Sequence, residues 1–169
     1  MRFLNKLLCA VLAAALCFCA VGCESAVNTA NSTKTNGFKL HMLDVGQGDS
    51  LLLECDGSYM LVDAGEADKG NRVVEYLKDQ NVRRLSYAVI THPHSDHFGG
   101  MKKVLQSIPT DNIVMTEAYN TTRAWESLID YIDKEDFNVV FPKTNDVFNV
   151  GSCKVNIYSP NIDNDNKNN

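Results

Sequence analysis

The sequence predicts a mixed α/β fold built in layers. Three apolar-rich segments separated by glycine-containing turns come first, and helical patterns that alternate with short apolar runs follow them. Strands first and then alternating helices and strands are typical of a sheet with helices packed on it. A length of 169 residues, with 44% apolar and 22% charged residues, is that of an ordinary globular chain. This composition excludes disordered, collagen-like and coiled-coil proteins.

The folded part begins with three predicted strands. Residues 38–45, 50–54 and 59–62 are rich in apolar side chains, and the turns between them are GQGD at 46–49 and Asp56-Gly57. Because the connections are short, we expect these strands to pair antiparallel.

Helices and further strands alternate after residue 62. Three segments have helical spacing of apolar side chains: Val73, Val74 and Leu77; Met101, Val104, Leu105 and Ile108; and Trp125, Leu128, Ile129 and Ile132. Residues 87–90, 112–115 and 138–141 are short apolar runs that predict strands, of which the first is buried. Residues 146–150 and the alternating Cys153, Val155 and Ile157 predict a hairpin around Gly151.

The N-terminus has the pattern of an export signal. Arg2 and Lys6 precede an apolar run at 7–21, which is short for a membrane span. The run ends at Ala20-Val21-Gly22-Cys23, which resembles the bacterial lipoprotein box and implies cleavage before Cys23 and lipid attached to that residue. An ordinary secretory signal and an uncleaved anchor are the alternatives. We therefore expect an exported protein that is anchored to the cell membrane.

This interpretation divides the chain into four parts. Residues 1–22 are the predicted signal peptide, 23–37 the lipidated cysteine and a polar tether, 38–160 the folded domain and 161–169 an Asn-rich tail. Removing the signal changes the formal net charge from −5 to −7, which disfavours binding of long nucleic acids through bulk positive charge. Two cysteines remain in the folded part, Cys55 and Cys153. They could form a disulfide or stay separate buried thiols, and the sequence leaves both open.

A histidine cluster predicts a metal site. The segment THPHSDH at 91–97 holds His92, His94, Asp96 and His97, four potential ligands within six residues. In an extended segment His92 and His94 face the same side and can hold one cation, and a turn at Ser95 brings Asp96 and His97 toward an adjacent position. Imidazole and carboxylate ligands suit Zn²⁺, or less often Mn²⁺ or Fe. The alternative is a surface cluster that binds no metal.

Neighbouring motifs fit the same site. Asp63 closes an apolar strand, where it could accept an N–H from a ligating histidine or merely form a turn. The segment LDVGQGDS at 43–50 places two glycines and two acids in a turn, which is weak evidence of function by itself. We expect Gly99-Gly100 to let the backbone turn sharply before the next helix, and His41 to be structural.

These motifs together resemble the metallo-β-lactamase-fold hydrolases. The histidine motif, Asp63 and Gly99-Gly100 carry the general resemblance. The combination of LDVGQGDS at 43–50 with VITHPHSDHFGG at 89–100 is more specific, because it resembles the metallo-hydrolase domain of the ComEC/Rec2 competence proteins and their exported relatives. The resemblance covers the chain from about Phe38 to Pro160.

The resemblance implies a four-layered αββα sandwich, of which this chain would hold the N-terminal half only. It also implies two Zn²⁺ ions with a metal-bound hydroxide as nucleophile. His92 and His94 would bind the first ion and Asp96 and His97 the second, and Asp63 would support them. The family needs further ligands, yet no histidine follows His97. We therefore expect a fragment with weak metal binding and little activity, or else a half-domain that is stable as a dimer or with a second chain.

Three functions are compatible with these residues. The first is a lipid-anchored metallo-hydrolase of phosphodiesters, since the competence-protein relatives are linked to degrading the DNA strand that is not taken up. The second is hydrolysis of a small ester, lactone, lactam or phosphocholine-type group. The third is an inactive lipoprotein that uses the fold as a binding module.

Overall fold

The computed structural model describes residues 37–158. The predicted signal peptide 1–22, the lipidation site Cys23, most of the predicted tether and the Asn-rich tail 161–169 lie outside the described residues. Those assignments stay predictions. Within residues 37–158, no helix is long and apolar enough to cross a membrane.

A six-stranded sheet forms the centre of the described region. Its strands are β1 (Phe38–Met42), β2 (Leu51–Cys55), β3 (Ser58–Val62), β4 (Leu85–Ile90), β5 (Thr110–Met115) and β6 (Asn138–Val140), and they keep this order across the sheet. The first three strands pair antiparallel, as predicted, and β3 to β6 pair parallel. The change of direction at β3 decides which loops meet at each end of the sheet.

Helices cover one face of this sheet. They are α1 (Gly70–Asp79), α2 (Ser95–Phe98), α3 (Met101–Ser107) and α4 (Arg123–Lys134), with a 3₁₀ turn at Ala67–Lys69. The apolar stripes of α1, α3 and α4 are buried against the sheet, which confirms the three predicted helices. The Thr122 hydroxyl caps α4 by accepting a hydrogen bond from the Trp125 amide at 3.3 Å.

A hairpin packs on the opposite face. Its strands, β7 (Val147–Val150) and β8 (Cys153–Asn156), pair antiparallel around Gly151, as the alternation predicted. Phe148 and Val150 join Met60 and Val114 in a second core, to which none of the described helices contributes a buried residue. The described residues therefore form three layers: helices, six-stranded sheet and hairpin. The mixed α/β prediction is confirmed, and the layers correspond to a partial domain.

A disulfide joins the hairpin to the main sheet. Cys55, at the end of β2, is bonded to Cys153, at the start of β8, with the two Cα atoms 6.1 Å apart. This answers the question that the sequence left open, because the sequence alone could not show that the hairpin folds back onto β2.

The hairpin covers only part of its face of the sheet. Along β1, the side chains of Phe38, Leu40 and Met42 alternate onto that face and are 56%, 52% and 80% exposed. The prediction that this strand continues to residue 45 was wrong. β1 ends at Met42, and the following residues turn where the Asp44 carboxylate accepts a hydrogen bond from the Gly46 amide at 3.2 Å.

Candidate metal centre

The predicted site residues lie at the carboxyl ends of two neighbouring parallel strands. Asp63 directly follows β3, and Thr91 directly follows β4. The register pairs Val62 with Val89, and the Asp63 amide extends the pairing by donating to the Val89 carbonyl at 2.9 Å. Ligands of α/β sheets bind at such carboxyl ends. The topology therefore brings two segments that are 28 residues apart in sequence to one point.

Asp63 is the buried centre of a hydrogen-bond network. Its backbone is left-handed, with φ of 56°, and only 1% of the residue is exposed. The carboxylate accepts the Thr91 amide at Oδ1 (2.9 Å), the Thr91 hydroxyl at Oδ2 (2.6 Å) and His97 Nδ1–H at Oδ2 (2.9 Å). An unusual backbone conformation at a fully bonded buried acid is typical of a functional position. Asp63 thus lies where the sequence expected a partner for a ligating histidine.

The three histidines of the motif lie together. His94 is extended and precedes α2, and the one-turn helix brings His97 back toward His92, with ring centroids 4.0 Å apart. His92 Nε2 lies 3.1 Å from His94 Nδ1. Because Asp63 accepts the proton on His97 Nδ1, the Nε2 atom of that ring is left as the donor atom for a metal.

The electrostatics of the site favour neutral imidazole at His92. Burial lowers the pKa of His92, and the neighbouring His97 and His94 lower it further. Metal ligation requires the neutral ring. At Asp96 the side-chain amide of Gln47 donates to Oδ2 at 3.3 Å, and this hydrogen bond is the main cause that lowers the pKa of the Asp96 carboxyl.

The GQGD turn packs directly against the histidine motif. A Cβ added to Gly48 would stand 1.7 Å from the Asp96 carbonyl oxygen, so this position has room for glycine alone. The Gly65 amide donates to the Asp49 carbonyl at 3.0 Å, and the Ala64 amide donates to the His97 carbonyl at 2.8 Å. The turn is therefore part of the framework that holds α2.

The two glycines after the motif are needed for close packing rather than for the backbone angles of the turn. Gly99 and Gly100 do form a turn between α2 and α3, as expected, but both have helical backbone angles that any residue can adopt. An added Cβ would stand 2.5 Å from the Ala67 amide nitrogen at Gly99 and 2.3 Å from the Ala64 carbonyl oxygen at Gly100. Glycine lets the segment after Asp63 lie against the backbone that follows His97.

Of the remaining polar residues in these segments, His41 and Asp44 have partners outside the histidine motif, and Asp49 lies at its margin. His41 contacts the Tyr76 hydroxyl through Nδ1 at 2.9 Å and the Glu54 carboxylate through Nε2 at 3.4 Å. Asp44 pairs with Arg72 at 3.1 Å. Asp49 is exposed, with Oδ2 3.8 Å from His97 Nδ1, a longer contact than that made by Asp63.

The donor set fits a divalent metal in part. Two nitrogens bound to one tetrahedral Zn²⁺ at about 2.05 Å stand about 3.3 Å apart. The 3.1 Å between His92 Nε2 and His94 Nδ1 matches this edge of a tetrahedron. However, nowhere in residues 37–158 do three or more His, Cys, Asp or Glu side chains converge as a complete ligand set. The structure thus provides one ligand pair, with the His97 ring beside it at 4.0 Å from the His92 ring, but no complete ligand set.

Two contributing residues were missed in the sequence. Thr91 binds both Asp63 and His92, and Gln47 binds Asp96. The signal for Thr91 was its place directly after a buried strand, beside the first histidine. For Gln47 the sequence holds no such signal, because its contact depends on how the turn folds.

An apolar cavity lies beside the motif and not at it. Its volume is about 410 Å³, and its lining includes Tyr119, Trp125, Glu126 and Phe141 but none of the histidines. The loop on its rim is tied to the motif, because Asn120 Nδ2 donates to the Pro93 carbonyl at 2.6 Å.

Comparison with known proteins identifies the family. The profile of the metallo-beta-lactamase superfamily matches residues 43–157, which is more than half of the chain. This chain belongs to that superfamily.

Two curated relatives and a solved structure agree with this assignment. The chain is 32% identical over 77 residues to the uncharacterized protein YcaI of Escherichia coli (strain K12), covering 43% of this chain and 10% of that protein. It is 27% identical over 88 residues to Recombination protein 2 of Haemophilus influenzae (strain ATCC 51907 / DSM 11121 / KW20 / Rd), covering 49% and 11%. The Rm3 metallo-beta-lactamase superposes with a TM-score of 0.53 at 11% identity, over 70% of this chain and 48% of that one.

These matches bear out the fold and a ComEC-like relationship. The chain spans only about a tenth of the length of the curated relatives and about half of the solved structure. Membership of the superfamily supports a hydrolase, and members of this fold generally bind zinc.

Proposed function

We propose that this chain is the metal-binding part of an exported, lipid-anchored hydrolase. The observation that carries the proposal is the ligand pair: His92 Nε2 and His94 Nδ1 stand 3.1 Å apart at the carboxyl end of β4. A buried carboxylate braces the neighbouring segment through three hydrogen bonds. Buried acids that orient ligating histidines in this way are usual around metal sites.

Each residue has a role in this proposal. His92 and His94 hold the first ion, Asp96 and His97 hold the second, and Asp63 orients His97 from behind. The imidazole and carboxylate donors favour Zn²⁺, with Mn²⁺ as the alternative. When bound, such an ion activates water and polarises the bond under attack. Gln47 keeps Asp96 in place and holds the pKa of its carboxyl low, so that it is ionised and able to act as a ligand.

A phosphodiester is the first proposed substrate class. Support comes from the match to Recombination protein 2, whose name refers to recombination, and from the GQGD and histidine motifs that suggested the competence proteins. The formal net charge of −7 after removal of the predicted signal peptide favours short substrates over long nucleic acid.

A small uncharged ester is the second candidate, and the cavity is the observation that favours it. The space of about 410 Å³ beside the motif has an apolar lining with Glu117, Glu126 and Asp130 among its residues. Carboxylates there would repel an anionic phosphodiester but would not repel an uncharged ester, and the apolar lining could hold its acyl group.

Metal binding is the first test. The full chain, His94→Ala and the control His41→Ala, which changes a histidine with separate partners, are each titrated with Zn²⁺ and their dissociation constants are compared. We expect weak but measurable binding in the wild type and His41→Ala and a loss of about tenfold or more in affinity in His94→Ala. Equal affinities in the wild type and His94→Ala would refute the site.

Substrate preference is the second test. The zinc-loaded chain is assayed with single-stranded DNA, a small phosphodiester and a small ester. Turnover that disappears in His94→Ala identifies the substrate class, and turnover that survives it comes from another site or a contaminant. Metal binding with no turnover of any of the three favours the inactive binding module.

Lipid anchoring is tested separately in cells. Cys23→Ser removes the sulfur that would carry the lipid, so we expect the variant to leave the membrane fraction. The matched control is Cys19→Ser, within the predicted signal peptide. If both variants stay in the membrane fraction, the lipid anchor is disproved.

A further inference from the structure

Thr91 connects the buried carboxylate to the first histidine of the motif. Its Oγ1 lies 2.6 Å from Asp63 Oδ2 and 3.0 Å from His92 Nδ1. We propose that the Thr91 hydroxyl is a positioning group that fixes the tautomer of neutral His92, with the ring proton on Nδ1 and the lone pair on Nε2.

The direction of the two hydrogen bonds follows from the chemistry of a hydroxyl. Threonine has one O–H donor and two acceptor lone pairs. Its proton is donated to the Asp63 carboxylate. The contact with His92 therefore uses a hydroxyl lone pair, and His92 Nδ1 must be the donor. A neutral ring that donates from Nδ1 has its lone pair on Nε2, the atom that lies 3.1 Å from His94 Nδ1.

The hydroxyl is held in place from two sides. The Thr91 amide donates to Asp63 Oδ1 at 2.9 Å while the hydroxyl donates to Oδ2, so one carboxylate clamps both backbone and side chain. Threonine is also branched at Cβ, which restricts its χ1 rotamers.

One oxygen atom thereby controls two rings. Asp63 Oδ2 accepts directly from His97 Nδ1 and acts on His92 through the hydroxyl. Both rings then present Nε2 for ligation, although only one of them touches the carboxylate. The relay itself is a property of the metal-free chain, whereas its consequence for metal binding rests on the proposed function.

The decisive variants are Thr91→Val and Thr91→Ser. Valine keeps the shape and removes the hydroxyl, and serine keeps the hydroxyl. Both retain the amide that binds Asp63. The metal-free full chain is labelled with ¹⁵N-histidine and examined by NMR at about pH 8, where imidazole is neutral. His41, with its separate partners, is the internal reference.

The wild type and Thr91→Ser are expected to show His92 with a protonated Nδ1. In Thr91→Val the Nδ1 and Nε2 resonances should shift toward each other as the other tautomer becomes populated. An unchanged His92 in Thr91→Val, or a wild type protonated on Nε2, would overturn the relay. Unchanged His41 signals show that a variant is folded.

The metal consequence is measured by Co²⁺ titration followed by visible absorption. Loss of a group that orients a ligating histidine typically weakens metal binding 10–100-fold. We expect Thr91→Val to lie in this range and Thr91→Ser to bind nearly as the wild type does. Equal affinities in Thr91→Val and Thr91→Ser would overturn the role in metal binding. A wild type that binds no Co²⁺ refutes the proposed function instead, and the NMR result still decides the relay.

Discussion

A single methyl group added at Gly48 tests whether the GQGD turn is packed against the histidine motif as the structure has it. Gly48 has φ of +88°, and the added Cβ would stand 1.7 Å from the Asp96 carbonyl oxygen and 2.6 Å from its carbon. Backbone atoms cannot rotate away as a side chain can. Gly48→Ala must therefore move either the turn or α2.

Gly46→Ala is the matched control for this change. Gly46 has φ of +75°, a similar left-handed conformation, but an added Cβ would meet only Lys69 Cε at 3.9 Å. The control thus has the conformational cost of the left-handed region, about 1–2 kcal/mol, without the collision. Overpacking adds about 1–3 kcal/mol. We expect Gly46→Ala to lose about 1–2 kcal/mol and Gly48→Ala to lose about 2–5 kcal/mol.

The assay is urea unfolding of the oxidised chain, followed by the fluorescence of Trp125, the single tryptophan of the chain, which is 2% exposed. The free energy of unfolding is compared among the wild type and the two variants. If Gly48→Ala and Gly46→Ala lose the same free energy within about 0.5 kcal/mol, the collision does not exist and the turn is not packed against Asp96.

Three further changes test other contacts. Asp63→Asn keeps the size of the side chain and tolerates the left-handed backbone but removes the charge, so we expect Zn²⁺ affinity in a chelator competition to fall about 10–100-fold; an unchanged affinity would contradict the role of Asp63. Cys153→Ser should lower the free energy of unfolding in urea by about 2–4 kcal/mol, because the bond closes a separation of 98 residues. Reductant should do the same to the wild type, and no effect would exclude the disulfide. Gln47→Ala should raise the pKa of Asp96 toward its usual value in an NMR titration of the metal-free chain, since the Gln47 hydrogen bond is the main cause that lowers it; an unmoved pKa would contradict that contact.

The sequence predicted best where local pattern decides the structure. The stripes of α1, α3 and α4 each have the helical period, and an amphipathic period persists whatever the tertiary arrangement. The end of β1 was misplaced because Leu43 and Val45 extend the apolar-rich run, while the Asp44 side chain accepts a hydrogen bond from the Gly46 amide where the chain turns. Local hydrogen bonding of this kind is not visible in hydrophobic spacing.

Contacts between distant segments were beyond prediction. The reason why glycine is required at positions 99 and 100 was misjudged, because a glycine needed for close packing looks the same in sequence as a glycine needed for a turn. Besides the nearby Ser95 carbonyl oxygen, the obstructing atoms include backbone atoms of Ala64 and Ala67, more than thirty residues earlier in the chain. Thr91 was overlooked for a similar reason, since its partner Asp63 becomes its neighbour only once β3 and β4 pair in parallel.

The sheet topology explains why the GQGD turn, Asp63 and the histidine motif lie at the same end of the sheet. β2 is antiparallel to β3, so its first residue, Leu51, pairs with Val62 at the end of β3. β4 is parallel to β3, so its last residues lie at that same end. The turn before β2, the residue after β3 and the loop after β4 must therefore meet, although each belongs to a different connection of the chain. If β2 or β4 ran in the opposite direction, the GQGD turn or the histidine motif would lie at the opposite end of the sheet. Asp63 follows β3 and therefore lies between the GQGD turn and the histidine motif. For this reason its carboxylate can hydrogen-bond His97, while its carbonyl accepts the buried Ser50 hydroxyl at 3.1 Å.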